Sequence, residues 1–256
     1  MRAIVIGAGR GARLGCQTDD RPKGLVEVMG RPMLEWILEA LGEAGIRRSE
    51  VVFVSGWAEE AVRARYPEFT YVRNERWAHN NVLASLLCAR EHLLEGCVTT
   101  YADIVYDGAI VRRLVAAPEP IVLGCDTRWR RRYAVRTQHP ESDAEKLRAE
   151  GRRVVEVSRR IPSEAADGEF IGVTKLSAEG ARRLVAGYDE ARARFAEAPQ
   201  FREGRTFERA YLIDLLAFLL ERGEELHRED TAGAYMEIDT EQDLAHAAGW
   251  WETRGA

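Results

Sequence analysis

The sequence predicts an α/β fold: one domain over residues 1–256, with a mixed, mostly parallel sheet flanked by helices. Three observations carry that prediction. Short apolar or β-branched runs at residues 2–6, 50–54, 69–72, 97–101, 120–125, 152–157 and 167–176 alternate with helically spaced stretches at short intervals, as strands and crossover helices do. No Gly/Ser-rich or Pro-rich linker divides the chain, whose 256 residues suffice for one large core. The first strand runs directly into a loop with glycine at 7, 9, 11 and 15, and ligands of such sheets gather at the carboxyl ends of strands.

Residues 2–6 (RAIVI) read as a buried strand. In the loop that follows, glycine lets the backbone come close to a ligand, so that successive N–H groups point at one anion. Arg13 and Lys23 add the positive charge that complements a polyphosphate. Spacing separates the phosphate-binding designs that begin this way. A P-loop closes on GK[ST], but Gly15 is followed by Cys16 and Gln17. The weaker dinucleotide fingerprint is met by Gly7, Gly9 and Ala12, yet its acidic partner would be Glu27, which lies between a proline-lysine turn and Gly30-Arg31-Pro32. Hydride chemistry therefore ranks below nucleotide transfer.

The segments GAGRGARLG, RPKGLVEV and GRPML, the last leading into a helix, together resemble the nucleoside-triphosphate transferase family that includes sugar-phosphate nucleotidylyltransferases. The resemblance is nearest to the branch of phosphocholine and 2-aminoethylphosphonate cytidylyltransferases. It implies a Rossmann-like, nucleotide-diphospho-sugar transferase-like fold. It also implies a triphosphate held at Ala8, Gly9 and Gly11, with Arg13 and Lys23 on its phosphates as the catalytic cations. Position 24, often cysteine in relatives, is Gly24 here.

Residues 33–44 carry helical spacing and stop before Gly45; 50–54 is a strand, 59–66 a short helix and 69–72 a short strand. His79-Asn80-Asn81 precedes an apolar helix at 82–94. Asn80 and Asn81 read as helix caps and Ser85 as a small buried residue; by resemblance all three lie against a pyrimidine, and the two roles are compatible. The strand 97–101 ends in ADIVYD. A lone Asp there is commonly a turn residue, but the segment resembles the family's magnesium-binding stretch, which assigns Asp103 to the metal. Asp107 reads as a helix cap.

After the strand 120–125 comes DTRWRRRY. An arginine cluster is usually a solvated face; the interleaved aromatics instead suggest an acceptor site, with Trp129 and Tyr133 over its organic end. Residues 131–147 resemble phosphonate-pathway nucleotidyltransferases more than sugar enzymes. Arg159 follows the strand 152–157 where relatives carry a lysine on the acceptor phosphate. Residues 178–195 form an amphipathic helix with a wet face, and 206–222 a helix apolar over much of its circumference, suited to the core or to a second copy in a homodimer. The final motif, EIDTEQDL, resembles the second metal site, so Asp239 joins Asp103 on Mg2+ and Glu237 faces an amino or ammonium group of the acceptor. His79, His92, His139, His227 and His246 read as structural, since no pair has metal-ligand spacing.

A net charge of -5 argues against a nucleic-acid or membrane surface, and no apolar run approaches the roughly 20 residues that span a bilayer. Cys16, Cys88, Cys97 and Cys125 form no CxxC pair and read as reduced thiols of a cytoplasmic protein. The expectation is a cytidylyltransferase: residues 1–117 bind CTP, residues 118–256 bind a small phosphonate or phosphomonoester, and CMP is joined to the acceptor with release of pyrophosphate. The alternatives are a sugar-1-phosphate nucleotidylyltransferase and a non-catalytic, nucleotide-binding regulatory subunit.

Overall fold

Alternation along the first strand sets the architecture. In β1 (Arg2–Ile6), Ala3 and Val5 enter one apolar cluster while Ile4 and Ile6 enter another on the opposite face, so the sheet is covered on both sides. The computed structural model of the chain describes residues 1–253. Its strands, in order, are β1, β2 (Glu27–Val28), β3 (Arg31–Pro32), β4 (Val51–Ser55), β5 (Thr70–Arg73), β6 (Cys97–Tyr101) and β7 (Ile104–Tyr106), then β8 (Ile121–Asp126), β9 (Lys146–Glu150), β10 (Arg153–Val157), β11 (Gly168–Leu176), β12 (Leu226–Thr231) and β13 (Tyr235–Glu237).

Nine of these form one sheet in the order β5-β4-β1-β6-β11-β8-β12-β10-β9. It is mixed and mostly parallel, as the sequence predicts: β5, β4, β1 and β6 run together, β8 and β12 run with them, and β11 and β10 are reversed. The start of β11 also pairs with β9, which closes β8, β12, β10, β9 and β11 into a ring of five strands. A shift in register between Phe170 and Thr174 lets β11 serve both neighbourhoods, and Gly172, at φ 75°, sits inside that shift.

Helix Met33–Glu43 packs on helix Gly108–Ala116 over the face of Ala3 and Val5. Its N-cap is Pro32, which offers no side-chain bond, so burial of Leu34, Ile37, Leu38 and Leu41, roughly 1.5–3 kcal/mol each, is what holds it. The opposite face is covered by Val82–Cys88, Ala178–Phe195 and Leu212–Glu221. The helix expected at 82–94 is divided at Ala89, where i to i+3 bonds tighten the turn and Arg90–Leu93 continues separately. The stretch 206–222 is likewise a short turn, Phe207–Arg209, followed by Leu212–Glu221. The apolar circumference of that second helix is buried in the chain's own core, so the observation behind a homodimer finds its explanation within one chain.

Two small pairings position the site. β2 and β3 form the hairpin ahead of Met33. β7 pairs antiparallel with β13, with Ile104 opposite Glu237, and the Ile238 N–H donates to the Asp103 carbonyl at 2.9 Å. The two acidic motifs, 136 residues apart in sequence, thus meet beside the carboxyl ends of β1 and β6. No helix among the described residues is long and apolar enough to cross a membrane.

Candidate active site

At the centre of the site two carboxylates share one ammonium. Lys23 Nζ donates to Asp103 Oδ2 at 2.8 Å and to Asp239 Oδ1, and Arg13 donates to the other oxygen of Asp239 at 2.6 Å. Burial disfavours the Lys23 charge, but Asp103 and Asp239 outweigh it and hold its pKa above the ordinary value. The same exchange, Lys23 and Arg13 against burial, holds Asp239 below the usual carboxylate range. Glu237 moves the opposite way: burial, then the charges of Asp239 and Asp103, raise its pKa. Gly11 is explained by Lys23. It adopts φ 73°, and a Cβ there would stand 3.0 Å from the lysine stem.

A cavity of about 460 Å³ opens beside this centre, lined by Ala8, Gly9, Arg13, Asn80, Asn81, Ser85, Asp103, Arg159, Glu237 and Asp239 among the residues expected from sequence. Gly11 and Lys23 do not line it; Lys23 is buried behind the two carboxylates. A Cβ on Gly9 would meet no atom within 4 Å, so that stretch of backbone is open to close approach. Asn81 caps the helix Val82–Cys88, accepting from the Val82 N–H at 2.8 Å, and also lines the cavity, so its two expected roles coexist geometrically.

Asn80 and Ser85 are held by a residue that sequence reasoning missed. Asn74 is buried; its Nδ2 donates to Asn80 Oδ1 at 2.8 Å and to Ser85 Oγ at 2.9 Å, and its Oδ1 accepts from Asn80 Nδ2 and from the Arg76 backbone N–H. The Arg76 N–H can only donate, which fixes the orientation of the Asn74 amide and through it that of Asn80. Trp77, also missed, lines the same wall, braced on Trp57 with ring centroids 5.7 Å apart.

The other wall corrects the sequence. Trp129 and Tyr133, expected over the acceptor, are buried in a small cluster with Ala144 and do not line the cavity. Arg130 and Arg131 beside them are exposed, but Arg132 and Arg136 are not. Arg132 is buried between Asp126 and Glu169 and lies over the Tyr235 ring, while the Tyr133 hydroxyl donates to Glu169 at 2.8 Å. Arg136 donates to Asp243 at 2.7 Å and to the Glu237 carbonyl at 3.1 Å. Trp129, Arg132, Tyr133 and Arg136 stand at i, i+3, i+4 and i+7, the spacing of one buried helical face, and that signal was available in the sequence.

The residues that do face the cavity on this side include Tyr101, Glu145, Phe170 and Tyr211, with Arg159 among them. Gly172 makes room here, since a Cβ would lie 2.4 Å from the Tyr101 ring. Glu145 is buried, with the Tyr101 hydroxyl donating at 3.4 Å and the Arg159 guanidinium in ion-pair contact at 3.6 Å; burial, against the pull of Arg159, pushes its pKa up to about 7. The Arg159 guanidinium stacks 4.1 Å from the Tyr211 ring centroid. His139, read from sequence as structural, lines the cavity 3.4 Å from Asp239 and 3.7 Å from Glu237. Burial, then Arg136, lowers its pKa to about 4, which leaves the imidazole neutral.

A divalent cation fits this donor set. Asp103 Oδ1 and His139 Nδ1 are buried without a hydrogen-bond partner, and donor atoms of His139, Glu237 and Asp239 lie within 4.8 Å of one another. Asp103, Glu237, Asp239 and Asp243 face Lys23, Arg13 and Arg136, with Arg136 shared between Asp243 and Glu237, so the site holds one more carboxyl group than cations.

Strand-end glycine loop, paired cations and converging carboxylates on a mostly parallel sheet describe an enzyme of nucleotidyl transfer. The chain belongs to the family of the MobA-like NTP transferase domain, whose model matches residues 3–162. A CTP:phosphoglutamine cytidylyltransferase of Campylobacter jejuni is 26% identical over 254 residues, covering 95% of this chain and 98% of that protein. A CMP-5'-(3-aminopropyl)phosphonate synthase of Streptomyces rubellomurinus is 40% identical over 125 residues, 46% of this chain but 20% of that protein. Among solved structures, the CTP:phosphocholine cytidylyltransferase of Streptococcus pneumoniae superposes with a TM-score of 0.68 at 21% identity, covering 95% of this chain and 96% of that one, a likeness of fold.

Proposed function

We propose that the chain is a CTP-dependent cytidylyltransferase whose acceptor carries a phosphonate or phosphate at one end and an ammonium group at the other. The observation that carries this reading is the makeup of one cavity: open glycine backbone and Arg13 on one wall, Arg159 and a buried carboxylate among aromatic rings on the other. The relatives' cytidylyl chemistry supports the nucleotide, and Glu145 supports the ammonium end. In this reading residues 1–117 hold CTP and residues 118–256 hold the acceptor, with Tyr101 reaching the acceptor from the first part and Glu237 and Asp239 reaching the cation from the second.

An acceptor oxygen attacks the α-phosphorus, the bond from that phosphorus to the α,β-bridging oxygen breaks, and pyrophosphate leaves. A phosphomonoester's second pKa is about 6, so the nucleophile is already ionised and needs little general base. That removes the need for a catalytic histidine or cysteine. Asp103, Asp239 and Glu237 would hold Mg2+, which when bound supplies charge neutralisation on the triphosphate. Backbone around Ala8 and Gly9 receives the phosphates, with Gly11 holding the turn over Lys23, and Arg13 moves from Asp239 onto the leaving pyrophosphate. Lys23, bonded to Asp103 and Asp239 behind the cavity wall, orients both carboxylates and adds its positive charge to the site from there. Asn80, Asn81 and Ser85 contact the pyrimidine, with Trp77 as the aromatic surface beside it. Arg159 binds the acceptor's phosphonate, and Glu145, with Tyr101, Phe170 and Tyr211, receives its ammonium group in place of Trp129 and Tyr133.

The test is pyrophosphate release with Mg2+, each of the four ribonucleoside triphosphates being paired with phosphocholine, aminoalkylphosphonates, their uncharged alkyl analogues and hexose-1-phosphates. Turnover with CTP and an ammonium-bearing acceptor, lost with the uncharged analogue, is the expected result. Turnover confined to a sugar phosphate would overturn the acceptor assignment.

A further inference from the structure

We propose that the imidazole of His139 is a nitrogen ligand in the cation site it shares with Glu237 and Asp239, so that this site takes Mn2+ in preference to Mg2+. The inference rests on the nucleotidyl-transfer reading of the cavity and goes beyond it by assigning a ligand and a metal preference. Donor atoms of the three side chains lie within 4.8 Å of one another. His139 is only 3% exposed, and its Nδ1 faces Asp239 Oδ2 at 3.4 Å and Glu237 Oε2 at 3.7 Å. That nitrogen is buried and has no hydrogen-bond partner. A buried polar atom left bare in front of two carboxylates is expensive unless something positive stands between them.

The rest of the ring is arranged for that role. Nε2 faces Asp143 Oδ2 at 3.7 Å, so with a cation bound at Nδ1 the ring proton has a carboxylate to face from Nε2. The ring plane is set edge-to-face against Tyr133, 87° between planes. Arg13, more than half exposed, now donates to Asp239 Oδ2 and must leave as the cation arrives. Mg2+ is bound through oxygen and water, whereas imidazole is a good donor to later divalent metals. One nitrogen among oxygens therefore favours Mn2+ and would favour Co2+ further along the same order.

The experiment uses the full chain with Mn2+ alone and reads electron spin-echo envelope modulation, which detects nitrogen bonded to the ion. Wild type is expected to show nitrogen coupling and His139→Gln to lose it. The Mn2+ dissociation constant should rise about tenfold or more in His139→Gln while that for Mg2+ changes much less. His139→Asn, the shorter amide, should likewise keep folding and Mg2+ binding but lose the nitrogen signal. Bound Mn2+ without nitrogen coupling, equal affinities for the two metals in wild type, or no Mn2+ binding at millimolar concentration would each overturn the assignment. Pyrophosphate release unaffected by these results would leave the nucleotidyl-transfer reading standing, so the two fail separately.

Discussion

On one side of the cavity, Ala8, Gly9, Trp77, Asn80 and Ser85 stand on an apolar parallel sheet, and the polar groups among them are neutral amides and hydroxyls locked by Asn74. On the other side, the segment from Trp129 to Asp143 has only a single α-turn, Arg130–Tyr133, and a short 3-10 turn, and it is held by ions: Arg132 between Asp126 and Glu169, Arg136 on Asp243. An apolar wall loses stability in proportion to what is cut from it. An ionic wall does not, because removing one partner strands the others in a low dielectric. The first wall is a fixed surface for a ligand whose shape is constant; the second couples the acceptor side to charge.

The ionic wall is most vulnerable at Arg132. Arg132→Met keeps the stem but leaves Asp126 and Glu169 buried and unpaired, and should cost about 3–5 kcal/mol in urea denaturation. An equal loss from trimming a core leucine such as Leu34 to alanine is the ordinary response of the apolar side, at about 2–5 kcal/mol. What separates them is Arg132→Lys, which retains charge without the two-sided fork and should recover little.

Glu145 gives the next effect, a pH dependence with opposite signs for stability and for binding. Its folded pKa of about 7 lies above the ordinary 4.5, so its contribution to stability is complete below 4.5 and is lost as pH rises through 7. An ammonium-bearing acceptor binds the ionised form, so acceptor affinity should climb by up to about tenfold per pH unit until 7 and then level off. Glu145→Gln should flatten that step, and subtracting its profile removes the acceptor's own titration. A step that persists in the variant would take the ammonium end away from Glu145.

The parallel half was legible because its signals are local. β-branched runs, Gly7 to Gly15 and the spacing of residues 33–44 each specify their element within a few positions. Asp103 and Asp239 also meet, although nothing local says that β13 will lie against β7. What escaped depends on contacts across long separations. His139 is 100 residues from Asp239 and shares no ligand spacing with another histidine; Asn74 and Tyr211 carry no motif at all, and Glu145, though within residues 131–147, has no local sign that it faces a cavity. The hairpin of β9 and β10 was half missed, although Gly151-Arg152, with Gly151 at φ 62°, is a two-residue turn between strands. Trp129 and Tyr133 were misread for another reason: arginines at positions 132 and 136 masked a buried helical face, since charge ordinarily marks solvent.

On the apolar side the expected effects are smaller. Asn74→Ala frees the Asn80 amide to turn over and removes a donor from Ser85. If that amide reads the pyrimidine, the ratio of kcat/KM for CTP over UTP should fall by about tenfold, or about 1.4 kcal/mol, with acceptor KM unchanged. An unaltered ratio would place the base elsewhere.

Gly9→Ala is the mildest change and the most direct probe of where the triphosphate lies. Its backbone is outside the positive-φ region, and the added methyl meets no atom within 4 Å, so stability should shift by less than about 1 kcal/mol in a thermal melt. The methyl nevertheless projects from backbone that lines the cavity, where a phosphate needs to reach the N–H groups. CTP affinity should therefore drop while the fold is untouched. Wild-type affinity in Gly9→Ala would move the phosphates off this loop and onto the arginines, because a contact made only by flexible side chains can shift to accept a methyl and a contact made by backbone cannot.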